Sequence, residues 1–128
     1  MNNRRKIILA LGAGAFTAPL ASFAQQQGKI WRVGFLQGGP RPPDGLPPAV
    51  FRRALTEMGY VDGKNVVYEG RWAETKLARI PELAAELLQA RVDVIVATGW
   101  PAAQAAKRAT STIPIVFIVA DDPVRLGL

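Results

Sequence analysis

Residues 30–36, Ile-Trp-Arg-Val-Gly-Phe-Leu, are mostly apolar at both alternating sets of positions, the pattern of a strand buried on two sides in a parallel sheet. Residues 37–47 hold three Gly and four Pro, too many for helix or strand, so the chain turns at once. Val50, Phe51, Ala54, Leu55 and Met58 then recur at offsets of three and four, with Arg52, Arg53 and Glu57 opposite. This predicts an amphipathic helix over residues 48–58. Gly59 suits its left-handed end and Asp62-Gly63 the next turn.

Residues 65–72, with Val66, Val67 and Tyr68, read as a second strand with an increasingly polar end. Pro81 belongs in the first turn of a second helix whose apolar stripe is Leu83, Ala84, Leu87 and Leu88. Residues 92–97 form a short β-branched third strand ended by Thr98-Gly99, and residues 101–109 an Ala-rich helix closed by Lys107 and Arg108, where cations complement the helix dipole. Residues 113–119 predict a fourth strand, and Asp122 before Pro123 predicts the capped start of one more helix.

Strand and helix alternate throughout, with connections long enough for right-handed crossovers, so the fold class is α/β with a doubly wound, mostly parallel sheet. The strand order expected of that fold family is 2-1-3-4. Residues 115–119 then form an apolar edge strand with only the start of a helix to cover it, an aggregation liability.

The beginning of the chain has a different pattern. A basic stretch, Arg4-Arg5-Lys6, precedes an apolar run over residues 7–16, and Ser22-Phe23-Ala24 fits a small-x-small cleavage site. Residues 1–24 read as a secretory signal peptide and residues 25–128 as the exported domain, with no membrane insertion after cleavage. Pro19 interrupts the run before the ~20 residues a membrane span needs. Arg4-Arg5 leaves the Sec and twin-arginine routes both open.

Composition narrows the chemistry. The chain of 128 residues has no Cys and no His, which removes disulfides, thiolate nucleophiles, the commonest general base and the commonest metal ligand. No cofactor or metal is called for, and no catalytic set stands in a recognisable motif. Without Arg4, Arg5 and Lys6 the formal charge falls from +6 to +3, the remaining cations are scattered, and nucleic acid is not an expected partner.

In open α/β sheets ligands bind beyond the carboxyl ends of the strands. Three segments meet that rule: Gln37-Gly38-Gly39 after strand one, Thr98-Gly99-Trp100-Pro101 after strand three, and Asp121-Asp122 after strand four. The amides opening the helix at Pro101, with the Thr98 hydroxyl, suit an anionic group. Asp121 suits a cationic group, and Trp100 a planar part. Each also has a structural reading: the glycines relieve a tight turn, Thr98-Gly99 starts a helix, Trp100 packs on its own protein and Asp122 is a cap. A phosphoacceptor switch domain needs an Asp at the end of strand three, where Thr98 stands; Asp93 lies at its beginning.

Together Val33-Gly34-Phe35-Leu36, the run from Gly59 to Val66, Glu69 to Ala73 with Trp72, Val94 to Thr98, and Ile113-Pro114-Ile115-Val116-Phe117 leading to Asp121-Asp122-Pro123-Val124 resemble the ABC transporter substrate-binding proteins of the type I periplasmic-binding fold. The resemblance implies a non-enzymatic periplasmic receptor that captures a small organic solute, amino-acid-like in character, and delivers it to a membrane permease. Such receptors have two lobes, and this length accommodates part of the N-terminal one. The alternative expectation is a single-lobe remnant serving as an interaction or scaffold module.

Overall fold

The structure, a computed structural model, describes residues 28–128; the expected signal peptide lies outside the described residues. Strand β1 (Trp31–Gln37) leads through the proline-rich loop to helix α1 (Ala49–Glu57), then β2 (Val66–Trp72). A 3-10 turn (Leu77–Arg79) runs into α2 (Ile80–Gln89), followed by β3 (Val94–Thr98), α3 (Trp100–Ala109) and β4 (Ile115–Ile118). All neighbouring strands are parallel and the sheet order is β2-β1-β3-β4, so the α/β class and the expected order are those observed.

Side chains of β1 and β3 alternate between two cores, as strands covered on both sides must. On one face Leu36, Ile95 and Ala97 meet Ile80, Leu83, Ala84 and Leu87 of α2 and Ala102, Ala103 and Ala106 of α3, all buried. The alanines let α3 lie close to the sheet and to α2. On the other face Val33, Phe35, Val66, Trp72 and Val96 form a second cluster with Phe51 and Tyr68 against it. The Phe51 ring lies 6.1 Å from Phe35 and 6.4 Å from Tyr68, yet α1 buries no residue completely.

The end of the chain departs from the expected pattern. Asp122 does act as a cap, its Oδ1 accepting the Val124 amide at 2.9 Å. A regular helix does not follow; residues 123–127 form a run of turns in which Gly127, at φ +74°, takes the chain out of helical conformation. β4 is also shorter than its apolar run, and Val116 and Ile118 are each about half exposed.

Candidate functional site

The strand ends fix what can meet. Gln37 is in register with Trp72 on one side and Thr98 on the other, and Thr98 with Ile118. Residues of parallel strands in register project to the same face, so these four form one row at the carboxyl edge, on the α1 face.

The turn after β3 is built on Gly99. Its φ of +89° and ψ of 155° belong to a region that residues with a Cβ avoid, and the position ties two elements together. The Gly99 amide donates to the Ile118 carbonyl at 2.8 Å, and its carbonyl accepts the Ala103 amide at 3.0 Å. Pro101 occupies the first turn of α3, and no side chain caps that helix start. Beside it the Thr98 hydroxyl is buried without a hydrogen-bond partner, and a buried hydroxyl in that state costs roughly 1–3 kcal/mol. The edge therefore holds an open helix start and an unused hydroxyl side by side.

Asp121 stands just beyond β4 with its side chain about half exposed. Its Oδ1 accepts the Asp122 amide at 2.7 Å and lies 3.8 Å from the Arg125 guanidinium. Gly38 and Gly39 serve the loop after β2: their carbonyls accept the amides of Thr75 at 2.9 Å and Glu74 at 3.0 Å, while the Gln37 carbonyl takes Ala73 at 3.0 Å. A Cβ at Gly38 would meet Leu77 Cδ2 at 3.0 Å, so close packing uses this glycine. Glu74 and Thr75, at φ 53° and 69°, are held left-handed by these bonds.

Trp100, the first residue of α3, is about half exposed. It lines an apolar groove of about 420 Å³ between α2 and α3, with Leu77, Ile80, Pro81, Leu88 and Arg108. Gly38, Gly39, Thr98, Gly99 and Asp121 are not part of that groove.

Sequence reasoning placed Gln37 at this edge but passed over Trp72 as a member of the row. Trp72 is 7% exposed, and its indole N–H is buried without a partner. The ring folds back on β2: a Cβ at Gly70 would fall 2.0 Å from Trp72 Cη2. The spacing Gly70-x-Trp72, two positions on one strand face, is the sequence signal that marks this packing. Deeper on the same face the Tyr68 hydroxyl is also buried without a partner, and its pKa is raised above the ordinary 10.0 by burial, then by Asp62, against an opposing effect of Arg52. Among the described residues no group of acidic side chains is placed to hold a metal ion.

Residues 49–128 match the family model described as ABC transporter substrate binding protein. A tyrosine-binding protein of Clostridioides difficile (strain R20291) is 36% identical over 78 residues, which are 61% of this chain and 23% of that protein. Among solved structures, a ligand-free, open substrate-binding protein with adhesive properties from Clostridium difficile superposes with a TM-score of 0.67 at 31% identity over 77% of this chain. A conserved domain protein from Vibrio cholerae gives 0.66 at 33% identity over 78%. An ABC domain in complex with L-Trp from Streptococcus pneumonia gives 0.67 at 25% identity over 78%. The chain spans 34% of each of these three solved chains.

Proposed function

Since the chain belongs to the ABC transporter substrate-binding protein family, we propose that it provides one lobe of a receptor for a small amino-acid-like solute, exported to the periplasm and serving a membrane permease. The observation that carries this reading is the uncapped start of α3 beside the unpartnered Thr98 hydroxyl, at the carboxyl edge of the sheet. Helix-start amides and a hydroxyl together receive a carboxylate. Asp121 is in place for the ammonium group: its pair with Arg125 is exposed, and such pairs contribute only ~0–1 kcal/mol, so exchanging Arg125 for a ligand cation costs little. The named ligands of relatives, tyrosine for one and L-Trp for another, agree with an amino-acid head group at such a site.

A single lobe leaves the other side of the ligand in water, where each polar contact adds only ~1 kcal/mol net, so binding by this chain alone is expected in the millimolar range. Amide NMR titration with L-alanine tests the site. The Thr98 and Gly99 resonances are expected to move, and Thr98→Val or Asp121→Ala to weaken the response. Unchanged affinity in both variants would place the site elsewhere, and micromolar binding by the chain alone would overturn the half-site reading.

A further inference from the structure

The same edge carries a second, cationic feature. The proline-rich loop contains the cation Arg41 and the acid Asp44, and helix α1 contributes a second cation, Arg52. Arg52 takes the acid: its guanidinium lies 3.4 Å from Asp44 Oδ2 and its Nε donates to the Pro47 carbonyl at 2.9 Å. The loop is further closed by the Gly45 amide on the Pro42 carbonyl and the Leu46 amide on Asp44 Oδ1. Arg41 is left exposed, with no carboxylate within ion-pair distance among the described residues, and its guanidinium carbon stands 6.0 Å from the centroid of the Trp72 indole.

That indole is not a platform for an aromatic ligand. One face is folded against Gly70, Arg41 stands over the ring, and Phe35 lies 6.3 Å away, tilted by 42°. Trp100 faces the α2–α3 groove instead. What the Trp72 end of the row offers to solvent is a charge, and the buried indole N–H beneath lacks an acceptor.

Resting on the reading of this lobe as a solute receptor, we propose that its ligand is a small diacid or acidic amino acid, with one carboxylate at the Thr98–Gly99 turn and the second held by Arg41 above Trp72. Guanidinium groups bind carboxylates through paired, charge-assisted hydrogen bonds. Trp72 and Thr98 are two strand spacings apart, roughly 10 Å, a distance comparable to a small diacid with a hydrogen bond at each end.

The test is NMR titration of the chain with L-glutamate and succinate against acetate and L-tyrosine. It follows the Thr98 and Gly99 amides together with the Trp72 indole N–H, assigned with Trp31→Phe and Trp100→Phe variants. All four probes are expected to move the Thr98–Gly99 amides, and only the two diacids the Trp72 indole. Arg41→Gln, an exposed position, is expected to weaken L-glutamate about tenfold with no change for acetate, and Arg41→Lys to restore part of the loss. Equal L-glutamate affinity in wild type and Arg41→Gln, or an indole that answers to L-tyrosine and not to L-glutamate, overturns the proposal. An indole response to diacids with silent Thr98–Gly99 amides would keep the Arg41 site and discard the carboxylate site at α3. Silence of all these resonances would discard both.

Discussion

The two faces of the sheet are finished to different degrees. Under α2 and α3 the packing is closed by leucine, isoleucine and a set of alanines with no polar group among them. The α1 face is looser, and all three buried, unpartnered side-chain polar atoms among the described residues lie on it: Tyr68 Oη, Trp72 Nε1 and Thr98 Oγ1. It also leaves Val116 and Ile118 half exposed. Apolar closure supplies the stiffness that positions the strand ends, while the buried polar groups without partners collect on the face that is not closed. Apolar closure and unpartnered polar groups thereby lie on opposite sides of one sheet.

The sharpest way to break this contrast is to cut one side chain from each face. Leu87→Ala, at a fully buried position of α2, should lose about 3 kcal/mol as a cavity opens in a packed core. Phe51→Ala on α1, which is only half buried, should lose clearly less. Urea unfolding of both variants measures the difference, and equal losses would mean that the faces are equally closed. Next in size, Gly70→Ala should lose about 2 kcal/mol by forcing the Trp72 ring off its seat. Its tryptophan emission should shift to the red as the indole meets water.

Titration separates the faces at high pH. The Tyr68 phenol has its pKa raised above 10.0 in the folded chain, chiefly by burial. The folded form therefore holds this proton when the unfolded form has lost it. The associated stability is fully present below pH 10 and is lost as pH climbs from 10 through the raised value. Tyr68→Phe should flatten that part of the alkaline loss and, having removed an unpartnered hydroxyl, cost little at neutral pH; melting curves from pH 8 to 11 follow both effects. The smallest thermodynamic change is expected at the exposed strand. Ile118→Lys should alter stability by no more than about 0.5 kcal/mol, yet raise the concentration at which light scattering detects aggregates, since a charge on an open apolar edge opposes pairing with another chain.

The alternation of strands and helices was legible from residue spacing because burial on a helix stripe or on both sides of a strand repeats at short, fixed intervals. Thr98 and Gly99 were legible too, as positions just past a β-branched run. The direction taken by Trp100, the use of Gly38 and Gly39 carbonyls by residues 73–75, and the row joining Trp72, Gln37 and Thr98 were not. Each depends on register between strands that lie tens of residues apart, and local periodicity carries no register. The helix expected at Pro123 shows the converse: a good cap at Asp122 starts a turn, but a helix needs several further residues to offset the entropy of its first turn, and Gly127 ends the run first.

What the sequence determined by itself is the α/β class, the order of elements and the turns along the carboxyl edge of the sheet, since these follow from hydrophobic period and from turn residues acting over a few positions. Only the tertiary structure decided which polar groups at that edge are spent and which are free. Arg52 holds Asp44 and Arg41 does not, because an ion pair is settled by how the loop folds back on α1, and no spacing along the chain specifies that distance.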